Sequence, residues 1–225
     1  VVNDRLGIPG DYLSSEQYQP STPPQRGGRP VPWEACMTLN DTWAYNVSEN
    51  TWTELKSANP PEGRYHHAMA YDSTSGKVIV FGGGEGSSFN DTWAYEYSTN
   101  TWTNQSPSTF PAGRQSHSMA YDPGLGATLL YGGNLHHAVS QNELWAYNVS
   151  QNTWTLIQSP ASPPGLYGQA MAYDTRNKVT VLLGGRNESS CIGMGTWLYE
   201  SAQNIWTNLT CPRRIQDHAM YYDPV

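Results

Sequence analysis

The chain has 225 residues, enough for one large domain or two small ones. Gly (21) and Pro (16) are abundant while only 14% of residues are charged, a balance that disfavours helices and points to many short strands joined by turns. A net charge of −7 argues against a nucleic-acid partner, whose binding face would be basic, and apolar runs such as Val78–Phe81 and Val181–Leu183 are far too short to span a bilayer.

In chain order, residues 1–40 come first and differ in kind from the rest. Pro20, Pro23, Pro24, Pro30 and Pro32 crowd a stretch without strand alternation. It reads as an irregular, extended arm or inter-domain segment, with a degenerate copy of the following repeat as the alternative, since Gly27-Gly28 imitates a glycine pair found later. No charged-then-apolar leader opens the chain, so a signal peptide is expected to have been removed or never present.

From residue 41 the chain repeats. Eight tryptophans form pairs nine residues apart: Trp43 and Trp52, Trp93 and Trp102, Trp145 and Trp154, Trp197 and Trp206. First members are separated by 50, 52 and 52 residues, a period typical of solenoids, propellers and arrays. Three copies carry an upstream block, at 63–72, 113–122 and 165–174, followed by an apolar run that ends in two glycines (77–83, 127–133 and 179–185).

Each unit resolves into four strands. The first ends at Asp72, Asp122 or Asp174, where Asp supplies turn chemistry. The second is the apolar run, suited to burial on both faces. The third contains Trp-x-Tyr, whose rings share one face by the two-residue strand period, and the fourth begins near the second Trp. Between third and fourth, Asn50, Asn100, Asn152 and Asn204 recur where a tight reversal favours left-handed backbone. The glycine pairs predict positive φ or close backbone approach. No segment has helical periodicity.

A unit of four short antiparallel strands with large aromatics between neighbouring sheets is a propeller blade. The order Arg-x-x-His/Ser, apolar-Gly-Gly, Trp-x-Tyr, Asn-x-Trp resembles the Kelch repeat, including the variant in the central domain of galactose oxidase, over residues 40–223. The resemblance implies an all-β fold, a β-propeller of four-stranded Kelch blades spanning 41–225. Three units are full (63–107, 113–159 and 165–210). Residues 41–57 supply a third-and-fourth-strand half-unit and 216–222 a lone first strand. Because Kelch propellers usually close with six or seven blades, the chain is expected to belong to a larger ring, its open edges covered by more sequence, by self-assembly or by an additional chain.

No catalytic set emerges. His67, His117 and His218 occupy equivalent first-strand places, with Gln169 in the third unit. The resemblance makes that strand the innermost, so these side chains either ring a channel as ligands or hydrogen-bond neighbouring backbone in every blade. His66, His136 and His137 lack a carboxylate or Cys at metal-ligand spacing. The Tyr, His and Cys set that galactose oxidase uses for copper has no counterpart: Cys36 lies in the irregular region and Cys191 and Cys211 fall in loops. Glu62, Glu85 and Glu188 are loop acids that nothing selects for glycosidase chemistry. The expectation is no enzyme, no cofactor and no metal. Cys191 and Cys211 fall in loop classes that share a rim, so a disulfide between them is geometrically allowed, as are free thiols.

Seven N-x-S/T sequons, at Asn40, Asn46, Asn90, Asn104, Asn148, Asn187 and Asn208, are about twice what composition predicts and favour glycosylation and a secreted or cell-surface location. The loops after the glycine pairs and those between units share one rim by strand direction, and they vary while strands repeat, as a binding face would. Candidate contacts there are Arg64, Tyr65, Phe89, Arg114, His136, His137, Tyr167, Arg186, Arg213 and Arg214. For Arg64 and Arg114 a repeated salt bridge or carbonyl contact is the competing reading. The expected function is an extracellular interaction or assembly module that binds protein or glycan. The alternatives are a carbohydrate-active or oxidase enzyme with its catalytic residues elsewhere, and a cytoplasmic Kelch scaffold or adaptor.

Overall fold

Each predicted unit folds as an antiparallel meander. The computed structural model describes residues 38–135, 139–187 and 195–209, with residue 139 and the strands Arg5–Leu6, Gln25–Arg26 and Arg29–Pro30 described by backbone alone. The second sheet pairs Ala68–Asp72, Lys77–Phe81, Thr92–Glu96 and Thr101–Asn104 in chain order. The third pairs Ser118–Asp122, Ala127–Tyr131, Leu144–Asn148 and Thr153–Ile157. The fourth pairs Tyr167–Asp174, Val179–Arg186, Thr196–Glu200 and Ile205–Leu209. No helix occurs among the described residues.

The first sheet holds the expected half-unit, Thr42–Asn46 and Thr51–Leu55. It also gains Arg5–Leu6, which pairs antiparallel with Thr42–Asn46, Leu6 opposite Ala44. Two residues of segment 1–40 thus lie at the edge of the first sheet. A bare strand edge offers a row of unpaired N–H and C=O groups, and Arg5–Leu6 satisfies them in the place of a second strand.

Successive sheets stack face to face, and their first strands lie innermost: Ser118–Asp122 packs against both Ala68–Asp72 and Tyr167–Asp174. Ala70, Ile79, Phe81 and Ala94 of the second sheet meet Met119, Leu130, Tyr147 and Trp154 of the third. Ala120, Leu129, Tyr131 and Leu144 of the third meet Met171, Leu182, Tyr199 and Trp206 of the fourth. Burial on both faces explains why the second strands of the second and third sheets are unbroken apolar runs, with Ile79, Phe81, Leu129 and Leu130 fully buried. This is the blade arrangement of a propeller.

The joints between sheets are written into the repeat. Tyr95, Tyr147 and Tyr199 each lie opposite Trp102, Trp154 and Trp206 across the third-to-fourth strand pair, the rings tilted at 4.9 Å between centroids. The indole Nε1 then reaches the preceding sheet: Trp102 donates to Thr42 Oγ1 at 3.0 Å and Trp154 to Thr92 Oγ1 at 2.9 Å. At the corresponding place before Trp206 stands Leu144, and the buried Trp206 Nε1 has no acceptor. The predicted reversal asparagines adopt φ of 52°, 50°, 50° and 56° at Asn50, Asn100, Asn152 and Asn204. Their Oδ1 atoms accept the hydroxyls of Tyr45, Tyr95, Tyr147 and Tyr199. Their amides also clamp the sheet before: Asn152 Nδ2 donates to Gln105 O at 2.6 Å and Asn204 Nδ2 to Gln158 O at 2.7 Å.

The glycine pairs serve both expected purposes. Gly132 has φ +69°, and a Cβ there would stand 2.4 Å from the Leu166 carbonyl of the next sheet. Its neighbour Gly133 donates its N–H to that same carbonyl at 2.8 Å. Any side chain would push this joint apart.

Candidate interaction rim

Strand direction places the loops after the glycine pairs beside the loops that lead into the next sheet, and direct contacts tie them: Arg114 N–H donates to Phe89 O and Leu166 N–H to Gln141 O. The two loop classes thus form one continuous rim. Its foundation is a pair of buried arginines. Arg64 grips both carboxylate oxygens of Asp91 at 2.7 Å, and its remaining donors reach Gly82 O and Glu62 O. Arg114 repeats the pattern with Glu143 Oε2 at 2.7 Å, Gly132 O and Ala112 O. The same acids accept the indoles of Trp93 and Trp145.

Arg64 and Arg114 were candidate contacts, and here the structure corrects that assignment. Arg114 is wholly buried and Arg64 nearly so, leaving neither accessible to a partner. The salt-bridge reading holds for both. Desolvation lowers the Arg114 pKa against the pull of Glu143. Burial acts to raise Glu143, but the hydrogen bonds from Arg114 and Trp145 hold its carboxyl below the usual range. The fourth sheet replaces the pair with Leu166, fully buried, and Gly195. The acids Asp91 and Glu143 were missed from sequence, yet the signal was present: an acid precedes Thr/Leu-Trp wherever Arg opens the unit, and is absent where Leu does.

The innermost strand answers the histidine question. Gln169 Nε2 donates to Tyr131 O of the preceding sheet at 2.8 Å. His117 occupies the same place beside Phe81, edge-on to its ring at 5.7 Å, and its ring nitrogens close no well-formed hydrogen bond. Burial, reinforced by Arg114 and His67, lowers the His117 pKa to about 3, the nearby Phe81 carbonyl pulling the other way. Burial with Arg64 and His66 lowers His67 to about 4. Both are neutral at ordinary pH and lodged between sheets. No group of three His, Cys, Asp or Glu among the described residues could hold a metal ion.

Above this foundation lie the accessible groups. Tyr65 is half-buried, and its hydroxyl accepts the Gly86 N–H. Phe89 lies under the Arg64 guanidinium at 4.8 Å, and Tyr167 under that of Arg186 at 4.9 Å. Two exposed apolar rim residues escaped the sequence reading: Leu39, 59% exposed, and Phe110, 44% exposed. Both sit in loops without strand pattern, where periodicity gives no signal. A small cleft between the first and second sheets is lined by Leu39, Asp41, Glu62, Arg64 and His67. His136, His137, Arg213, Arg214 and His218 lie outside the described residues, as do Glu188 and the cysteines Cys36, Cys191 and Cys211.

The sequons divide by environment. Asn40, Asn90, Asn104 and Asn208 are exposed, whereas Asn46, Asn148 and Asn187 are half-buried. Asn46 and Asn148 also shape turns: each Oδ1 accepts a backbone N–H three residues on, from Glu49 and Gln151.

The family model for the KLHDC2/KLHL20/DRC7 Kelch-repeats domain matches residues 26–221. The match covers most of the chain, and the chain belongs to this family of Kelch-repeat proteins. It starts inside the Pro-rich segment rather than at residue 41. Kelch repeats make the protein an interaction module with protein partners.

Proposed function

We infer that the protein binds its partner through the rim built from the loops after the glycine pairs and those entering the next sheet. The observation that carries this reading is the contrast between the two layers of that rim. The lower layer is two Arg–acid pairs with buried guanidiniums, while the upper layer presents exposed Leu39 and Phe110 and half-buried Tyr65 and Tyr167, the last two at equivalent places where the intervening unit has Gln115. Rigid support beneath variable contacts is what recognition requires. Binding rather than catalysis fits the employment of the arginines and histidines in packing. A protein ligand fits better than a glycan, because Phe89 and Tyr167 each have a ring face already covered by arginine.

The location we propose is extracellular or at the cell surface, supported by the exposed sequons. The second reading, a cytoplasmic adaptor, draws support from Asn46 and Asn148, whose turn-forming role explains two sequons without glycans. Mass spectrometry of the native protein separates the two: hexose-rich adducts at Asn40, Asn90 or Asn208 are expected, and bare asparagines throughout would favour the adaptor.

The rim is tested by recovering cross-linked partners from the native source and quantifying them against variants. The double substitution Phe110→Asp with Tyr167→Ala is expected to reduce capture at least tenfold, a loss on the order of 1.4 kcal/mol or more. Ser98→Arg on the opposite rim should leave it unchanged. Equal capture by all three proteins would defeat the reading.

A further inference from the structure

The turns between first and second strands are built alike. Asp72 Oδ1 accepts the N–H groups of Thr74 and Ser75, Asp122 Oδ1 those of Gly124 and Leu125, and Asp174 Oδ1 those of Arg176 and Asn177. The residue two places after the aspartate differs: Thr74, Gly124 or Arg176. At the joint between second and third sheets the next sheet uses it, for the Tyr121 hydroxyl donates to Thr74 Oγ1 at 2.6 Å and lies beside Asp72. At the joint between third and fourth sheets, Gly124 offers no side chain. The reversal between third and fourth strands changes with it: Val149, packed on the apolar cluster of the earlier joint, gives way to Ser201.

The space over Gly124 is edged by oxygen. A Cβ there would stand 3.1 Å from Asp122 Oδ1, 3.6 Å from Ser201 Oγ and 3.9 Å from the Tyr173 hydroxyl oxygen. These groups belong to two sheets whose four strands are all described. Asp122 is 0% exposed, and its Oδ2 has no hydrogen-bond partner among the described residues. No cationic side chain among them pairs with it. Burial raises the Tyr173 pKa, and Asp122 and Asp174 add to the rise, so two carboxylates lie near that hydroxyl. A carboxylate oxygen removed from water without donor or counter-charge is costly, and buried charges are ordinarily paired or bound to an ion. One carboxylate with two hydroxyls is too little anionic charge for calcium, which takes six or more oxygens.

We propose that the joint between third and fourth sheets binds a monovalent alkali cation, held by Asp122 Oδ2, Ser201 Oγ and the Tyr173 hydroxyl in the space that Gly124 leaves open. The ion takes the place that Thr74 fills in the joint before, supplies the counter-charge for Asp122, and ties the fourth sheet to the third. Because the three oxygens converge only in the folded chain, the ion stabilises it by mass action. The site lies on the rim opposite the interaction loops, so it stands or falls apart from the binding reading above.

The test is urea unfolding of the full chain in sodium, potassium or choline chloride at equal ionic strength, so that screening is the same in all three. Choline is too large to enter. The unfolding equilibrium constant is expected to be about tenfold lower in the better alkali salt than in choline chloride when the ion is at roughly ten times its Kd. Gly124→Thr, which copies the second unit and fills the space, should fold and lose that difference, and Asp122→Asn should lose it too. Asp72→Asn, at the joint before, should keep it. If Asp122→Asn fails to fold by circular dichroism, Gly124→Thr decides. Equal wild-type stability in the three salts overturns the proposal and is what a bound water alone would give. So does a difference that survives in Gly124→Thr or disappears in Asp72→Asn, since the ion would then act elsewhere.

Discussion

Arg114 shows what a buried charge requires in this chain. Its guanidinium has no exposure, and its fork is satisfied by Glu143, Gly132 O and Ala112 O. Removing one partner from such a pair strands the other, at about 3–5 kcal/mol. Arg114→Leu is therefore expected to destabilise the protein by roughly that amount in urea denaturation. The double variant Arg114→Leu with Glu143→Gly should recover a large part of the loss, because the fourth sheet already uses Leu166 with Gly195. A double variant no more stable than the single one would show that the ion pair cannot be replaced. His117 makes a second residue-scale case. Its folded pKa, about 3, lies below the ordinary 6.5. Between those values the unfolded chain takes up a proton that the folded chain refuses, so stability is full above about pH 6.5 and declines as pH falls toward 3. His67 acts in the same direction down to about 4. His117→Gln, which copies Gln169, should lose less stability than the wild type when the urea midpoint is compared at neutral pH and at pH 5. Equal losses would remove His117 from the acid response.

At the scale of elements, the reversal between third and fourth strands carries two separate demands. Asn152 holds left-handed backbone at φ 50°, and its amide and carbonyl groups join Tyr147 to Gln105 of the preceding sheet. Gly meets the first demand and Ala neither. Asn152→Gly should therefore cost only the hydrogen bonds, about 1–2 kcal/mol, and Asn152→Ala about 1–2 kcal/mol more for the backbone. Chemical denaturation of the two variants checks the order, and Ala equal to Gly would mean that backbone geometry is not what fixes Asn there. The turn itself was legible in sequence, because Asn recurs at one place in every copy. The cross-sheet clamp was not, since the acceptor is a main-chain carbonyl 47 residues away, and a carbonyl leaves no mark on residue identity.

Across the whole molecule, stability in a repeat array is carried by joints between neighbours, and these joints are unequal. The second and third sheets are linked by Trp154–Thr92, by the Asn152–Gln105 clamp and by the Arg114 main chain, whose carbonyl accepts the Gly83 N–H and whose N–H donates to Phe89 O. The joint between third and fourth sheets lacks both the Trp–Thr bond and the Arg–acid pair, and is held by Gln169–Tyr131, by the Tyr131 hydroxyl donating to Pro163 O, by the Asn204–Gln158 clamp and by Gly133 N–H on Leu166 O. Amide hydrogen exchange is expected to be faster in Ile205–Leu209 than in Thr153–Ile157, by an order of magnitude or more if one hydrogen bond of about 1.5 kcal/mol separates them. Uniform protection would show that apolar packing alone sets the strength of each joint.

The sequence by itself determined the strand order, the left-handed turns, the glycine pairs and the family, because each depends on residue identity at a fixed spacing that recurs. The buried second strands were legible for the same reason: a run with no polar alternation has no face to give to water. Tertiary structure alone decided which charged residues are available. Arg64 and Arg114 read equally well as contacts or as braces until Asp91 and Glu143, 27 and 29 residues away, were found against them. It also decided that Arg5–Leu6 joins the first sheet and that Trp52 stays exposed while its three counterparts are buried. Residue type sets what a side chain can bond to, and only the fold sets what is near enough to bond.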